Sequence, residues 1–127
     1  MRRHSPKSRA TILCVDDNPV LLNLRQIILR QAGYQVFVST SGPKALVIAK
    51  TRRVDLALVD YDMPDMNGFV IAALLRWIQP TTKIVIVSAH DSKAPRGFGE
   101  LDGFIAKGVP VPKFLKQVEH YLTIKVD

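Results

Sequence analysis

From Thr11 onward, short apolar runs alternate five times with amphipathic segments. Thr11 to Val15, Tyr34 to Val38, Leu56 to Asp60, Lys83 to Val87 and Gly103 to Ala106 have the length and near-continuous apolar character of strands buried on both faces. Strands alternating with helical patterns predict repeated βα units and a parallel sheet, an α/β fold of five strands. The first helix starts near Pro19, a residue suited to a first helical turn. It carries Leu21, Leu24, Ile28 and Ala32 on one face and stops at Gly33.

The remaining segments follow the same logic. A short helix runs from Pro43 to about Thr51 with Leu46 and Ala49 inward. The loop Tyr61 to Asn67 leads through Gly68 into a helix from Phe69 to about Ile78, which Pro80 terminates. A final helix from about Pro112 to Thr123 turns Phe114, Leu115, Val118 and Leu122 toward the sheet. Where a fourth helix belongs, Asp91 to Leu101 contains one proline and two glycines, so an irregular or mobile element is expected there.

The strand ends carry the chemistry. The first apolar run closes in Asp16-Asp17 and the third in Asp60, while the fourth ends in Ser88 and the fifth in Lys107. Ligands of open parallel sheets sit beyond the carboxyl ends of the strands, so three acids on that rim fit a hard cation. Mg²⁺ suits such a site because it takes only one or two carboxylates besides water and phosphate oxygens, leaving an acid free to act. A carboxylate can itself attack a phosphoryl donor, with an ammonium and a hydroxyl stabilising the transferring group. Taken singly, the residues have plainer readings: Asp17 or Asn18 could cap the first helix, Asp60 could end a strand, and Lys107 could be a surface charge. Agreement across four strand ends outweighs them.

Composition narrows the setting. A chain of 127 residues, 47% hydrophobic and 23% charged, fits one globular domain over 10–127. No run approaches the roughly 20 apolar residues of a membrane span, so membrane insertion is not expected. The basic N-terminus has no apolar signal stretch and the single cysteine, Cys14, can form no internal disulfide, so a cytoplasmic location is expected. Cys14 lies within the first strand and is read as a buried, inert thiol. Of the net charge of +7, Arg2, Arg3, Lys7 and Arg9 supply four, and the remaining 14 basic and 11 acidic residues leave +3. Residues 1–9 are therefore expected to be a solvated, disordered arm, and nucleic acid is not expected as a partner.

Over roughly Ala10 to Leu122 the chain resembles the receiver domain of bacterial two-component response regulators, in its single-domain form. The resemblance rests on Val15-Asp16-Asp17-Asn18, Asp60-Tyr61-Asp62-Met63-Pro64-Asp65-Met66-Asn67-Gly68, Val87-Ser88-Ala89 and Phe104-Ile105-Ala106-Lys107. It implies a doubly wound, flavodoxin-like sheet of order 2-1-3-4-5. It further implies that Asp60 accepts a phosphoryl group from a histidine kinase or phosphotransfer protein. Asp16, Asp17, Asp60 and the backbone carbonyl of Asp62 would then surround Mg²⁺, and Lys107 would pair with the phosphorylated Asp60. Ser88 would follow the phosphoryl group, Phe104 would change rotamer with it, and the readout would pass through Ala89 to Lys107. The domain would be a phosphoacceptor rather than an enzyme, able to catalyse its own phosphorylation from small donors and its own dephosphorylation. If the chain is complete, output runs through binding an unknown downstream protein.

Receivers usually have a proline after the strand-five lysine, often cis; this chain has Gly108, with Pro110 and Pro112 further on. A cis bond at a non-proline costs about 2.5 to 4 kcal/mol, so a trans Lys107-Gly108 bond is expected. Two other readings compete. One is a pseudo-receiver that binds partners without phosphorylation. The other is a haloacid-dehalogenase-type phosphatase, whose acid-x-acid motif Asp60-Tyr61-Asp62 matches but which leaves Asp16-Asp17 unexplained.

Overall fold

The computed structural model describes residues 10–89 and 101–124. In chain order the elements are β1 (Thr11–Val15), α1 (Pro19–Gln31), β2 (Gln35–Ser39), α2 (Gly42–Thr51), β3 (Leu56–Asp60), α3 (Gly68–Ile78), β4 (Lys83–Ser88), β5 (Gly103–Ala106) and α4 (Val111–Thr123). The strands form one parallel sheet of order β2-β1-β3-β4-β5. Most of the expected irregular segment, together with the N-terminal arm, lies outside the described residues.

Alternation along the central strands divides the core in two. Leu13 and Val15, Ala57 and Val59, and Ile84 and Ile86 face α2 and α3, meeting Ala45, Ala49, Ile71 and Leu75. Their neighbours Ile12 and Cys14, Leu56 and Leu58, and Val85 and Val87 face α1 and α4, meeting Leu22, Leu29, Phe114 and Val118. Since both faces are covered, every residue of β1, β3 and β4 is buried, which is why these strands read as unbroken apolar runs. The strand order reverses between β1 and β3, opening a crevice at their carboxyl ends.

The helices start where their caps dictate. Asn18 Oδ1 accepts the amide N–H groups of Val20 and Leu21, so the α1 cap is Asn18 and the Asp17 carboxylate is not spent on it. Ser41 caps α2 and Asn67 caps α3.

Two inward faces differ from expectation. In α1 the buried positions are Leu22, Arg25 and Leu29, whereas Leu24 is 51% exposed. A charged residue in the middle of the stripe disguised it, and the neighbouring Leu21-Leu24-Ile28 series offered a cleaner apolar pattern. In α2 the inward residues are Gly42, Ala45 and Ala49, with Leu46 on the flank, because small side chains let α2 sit close to the sheet and to Ile71 of α3.

Candidate functional site

Register brings the acids together. Val15 of β1 pairs with Val59 of β3, so the next residues, Asp16 and Asp60, leave adjacent strands side by side. Backbone bonds fix the rim: the amide of Asp16 donates to Ser39 O at 3.1 Å, that of Tyr61 to Val87 O at 3.0 Å, and that of Lys107 to Ser88 O at 2.8 Å. Glycine shapes the approach of α3, because a Cβ on Gly68 would stand 2.6 Å from Asp60 O and 2.9 Å from Tyr61 Cα. Only at glycine does the helix start so close to the end of β3.

Asp16, Asp17 and Asp60 each offer a carboxylate oxygen within 4.8 Å of the others. Asp16 and Asp60 are buried, and Asp17 is exposed at the mouth. Lys107 reaches over from the end of β5, its Nζ 2.8 Å from Asp60 Oδ1 and 3.6 Å from Asp16 Oδ2. The contact with Asp60 is an ion pair, and beyond Lys107 that buried oxygen has no partner among the described residues. Burial pushes the Asp60 carboxyl above its usual range, and the Asp16 charge adds to the rise. The Lys107 ammonium and the backbone N–H of Asp62 act against it.

Of the other residues singled out in the sequence, Ser88 is buried at the end of β4, opposite Ala106 in the register. Phe104 of β5 lies half-buried against the α3 side of the core, its ring edge-on to Phe69 with centroids 6.4 Å apart. Asp62 is exposed in the loop two residues past Asp60. The described residues contain no cis peptide bond, so Lys107-Gly108 is trans, and Gly108 has φ +86°. That left-handed turn, with nothing within 4 Å of a would-be Cβ, re-aims the chain directly after Lys107 where a proline is absent.

One site residue escaped the sequence reading. Arg25 of α1 is 6% exposed, and its Nη1 donates to Asp16 Oδ2 at 3.0 Å. The available signal was its spacing between Leu22 and Leu29, three and four residues away on one helical face.

The donor set fits a hard cation: three clustered carboxylates, one of them open to solvent and one holding a buried oxygen that lacks a hydrogen bond. A sequence model of the response regulator receiver domain matches residues 12–119. The chain belongs to the response regulator receiver domain family. As a receiver of two-component systems it is a signalling domain rather than a conventional enzyme. This receiver is 26% identical to the polar-differentiation response regulator DivK of Brucella anthropi, over 92% of the chain and 97% of DivK. It is 36% identical to the transcriptional regulatory protein GlrR of Escherichia coli K12 over 89 residues, 70% of the chain. The receiver spans only 19% of the length of GlrR. Among solved structures, a CheY-like receiver domain protein from Methanospirillum hungatei superposes with a TM-score of 0.82 at 27% identity, covering 89% of this chain and 93% of that one. No helix among the described residues is long and apolar enough to cross a membrane.

Proposed function

We propose that Asp60 is the phosphoacceptor of a receiver domain spanning 10–127, loaded by a histidine kinase or phosphotransfer protein. The observation that carries this reading is the cluster of Asp16, Asp17 and Asp60 oxygens within 4.8 Å, bridged by Lys107. An Asp60 oxygen attacks phosphorus, the new O–P bond forming as the donor's P–N bond breaks with its electron pair left on the imidazole nitrogen. Catalysis here is positioning and charge neutralisation. The rim bonds and Gly68 hold Asp60 in place, the backbone N–H of Asp62 orients its carboxylate, and Lys107 Nζ meets the negative charge brought by the phosphoryl group. Mg²⁺, held by Asp16, Asp17 and Asp60 with the Asp62 carbonyl, would supply further neutralisation of the phosphoryl oxygens. Ser88 donates its hydroxyl to the phosphoryl group, and Phe104 reports its arrival. The same residues allow phosphorylation from small donors and slow self-hydrolysis. Output passes to a downstream protein in the cytoplasm.

Intact mass after incubation with Mg²⁺ and acetyl phosphate tests the reading. One added phosphoryl group, lost in Asp60→Asn and reduced in Asp16→Asn, is the expected result. Full phosphorylation of Asp60→Asn would overturn the assignment. No phosphorylation of the unaltered chain would point to a phosphorylation-independent binding module, and steady turnover of a general phosphate ester to a phosphatase.

A further inference from the structure

Asp16 is engaged from both sides. Its Oδ1 accepts the amide N–H of Asn18 at 2.9 Å and its Oδ2 accepts Arg25 Nη1 at 3.0 Å. Arg25 lies on the buried stripe of α1 between Leu22 and Leu29. A guanidinium there needs a compensating charge, because an unpaired buried ion is strongly destabilising. Asp16, with a fully buried side chain, provides it. The three carboxylates of the pocket thus face two cations, and the two differ in kind. Lys107 is a flexible ammonium with its side chain 24% exposed, free to swing outward. The Arg25 side chain is 8% exposed, a planar guanidinium on a buried stem.

We propose that Arg25 is a resident counter-cation of the pocket, a positioning residue that acts through Asp16 and weakens the site's hold on a divalent cation. The proposal rests on the metal-binding reading above. A divalent ion at Asp16 meets a carboxylate already paired with a buried charge that has little room to withdraw. Repulsion between the two cations therefore remains in the loaded state. Removing the guanidinium restores a full negative charge to Asp16 and leaves Lys107 as its only nearby cation among the described residues. A purely structural role gives the opposite sign, since loss of a positioning contact loosens Asp16 and weakens metal binding.

The test is Mn²⁺ binding to the full chain, followed by the electron paramagnetic resonance signal of the free ion. Arg25→Met, which keeps the apolar stem, is expected to bind Mn²⁺ at least about tenfold more tightly than the unaltered chain, a floor below what one unit charge a few ångströms away exerts at an effective dielectric of roughly 20. Arg25→Gln, which keeps a neutral donor toward Asp16, should shift the same way and decides alone if the Met variant does not fold. Should neither fold, ¹⁵N resonances of the Arg25 guanidinium in the unaltered chain must move along the Mg²⁺ binding isotherm; unmoved resonances overturn the proposal. Equal or weaker Mn²⁺ binding by folded variants overturns it while leaving the metal site intact. Absence of Mn²⁺ binding in every form overturns both.

Discussion

Lys107 Nζ lies 2.8 Å from Asp60 Oδ1 and 3.6 Å from Asp16 Oδ2, so one ammonium spans the two buried acids of adjacent strands. The Lys107 contact is the largest influence lowering the Asp60 pKa, against the larger effect of burial that raises it. In Lys107→Met the Asp60 carboxyl should therefore titrate at higher pH than in the unaltered chain. Carbon-detected NMR of the aspartate carboxyls in metal-free buffer measures this, and an unchanged Asp60 titration contradicts the contact.

The raised pKa of Asp60 has a stability consequence of fixed sign. Between the ordinary aspartate value near 4 and its own higher value, the folded protein holds a proton on Asp60 that the unfolded chain has released. The contribution of Asp60 to stability is then fully present below the unfolded pKa and lost as pH rises through the folded one. Without metal, Asp60→Asn should gain stability relative to the unaltered chain as pH rises across this window, and the two should converge at acid pH. Urea melts of both proteins at several pH values decide the point.

Metal should reverse that penalty. A cation that binds the folded pocket and not the unfolded chain stabilises by mass action, about 2.7 kcal/mol at a free concentration one hundred times its dissociation constant. The melting temperature should climb with Mg²⁺ and the climb should be blunted in Asp17→Asn. Coincident melting curves with and without millimolar Mg²⁺ would argue against a metal site.

Two glycines should resist substitution for different reasons. Gly68→Ala drives a Cβ to 2.6 Å from Asp60 O, and such overpacking costs about 1 to 3 kcal/mol. Because the displaced backbone belongs to Asp60, phosphorylation from acetyl phosphate should slow as well. Gly108→Ala meets open space but demands φ +86° of an L-residue, costing roughly 1 to 2 kcal/mol. Denaturant midpoints with unchanged slopes would establish both effects as losses of stability.

The rim of the site was legible because strands buried on both faces form runs too continuous to mistake, and four of the five break at a polar residue of the proposed site. Asp16, Asp60, Ser88 and Lys107 could be found from such breaks alone, whereas the strand order came from family resemblance. Helix faces were harder to read. Leu21, Leu24 and Ile28 make a plausible inward stripe, and the true one, Leu22, Arg25 and Leu29, contains a guanidinium that hydropathy counts as polar. Its burial depends on a partner nine residues earlier and on another element, which no helical periodicity encodes.

The abutment of Gly68 on the Asp60 carbonyl makes α3 a strut with one end against the end of β3. Its far end carries Trp77, the chain's single tryptophan, 85% exposed and about 14 Å along the axis at 1.5 Å per residue. Over a helix of that length, longer than the Debye length of about 8 Å at physiological salt, the pocket's charges are largely screened from the exposed indole. A change in its emission when Asp60 is modified would have to be carried along α3, so the helix ties an optical reporter to the backbone beside the acidic pocket.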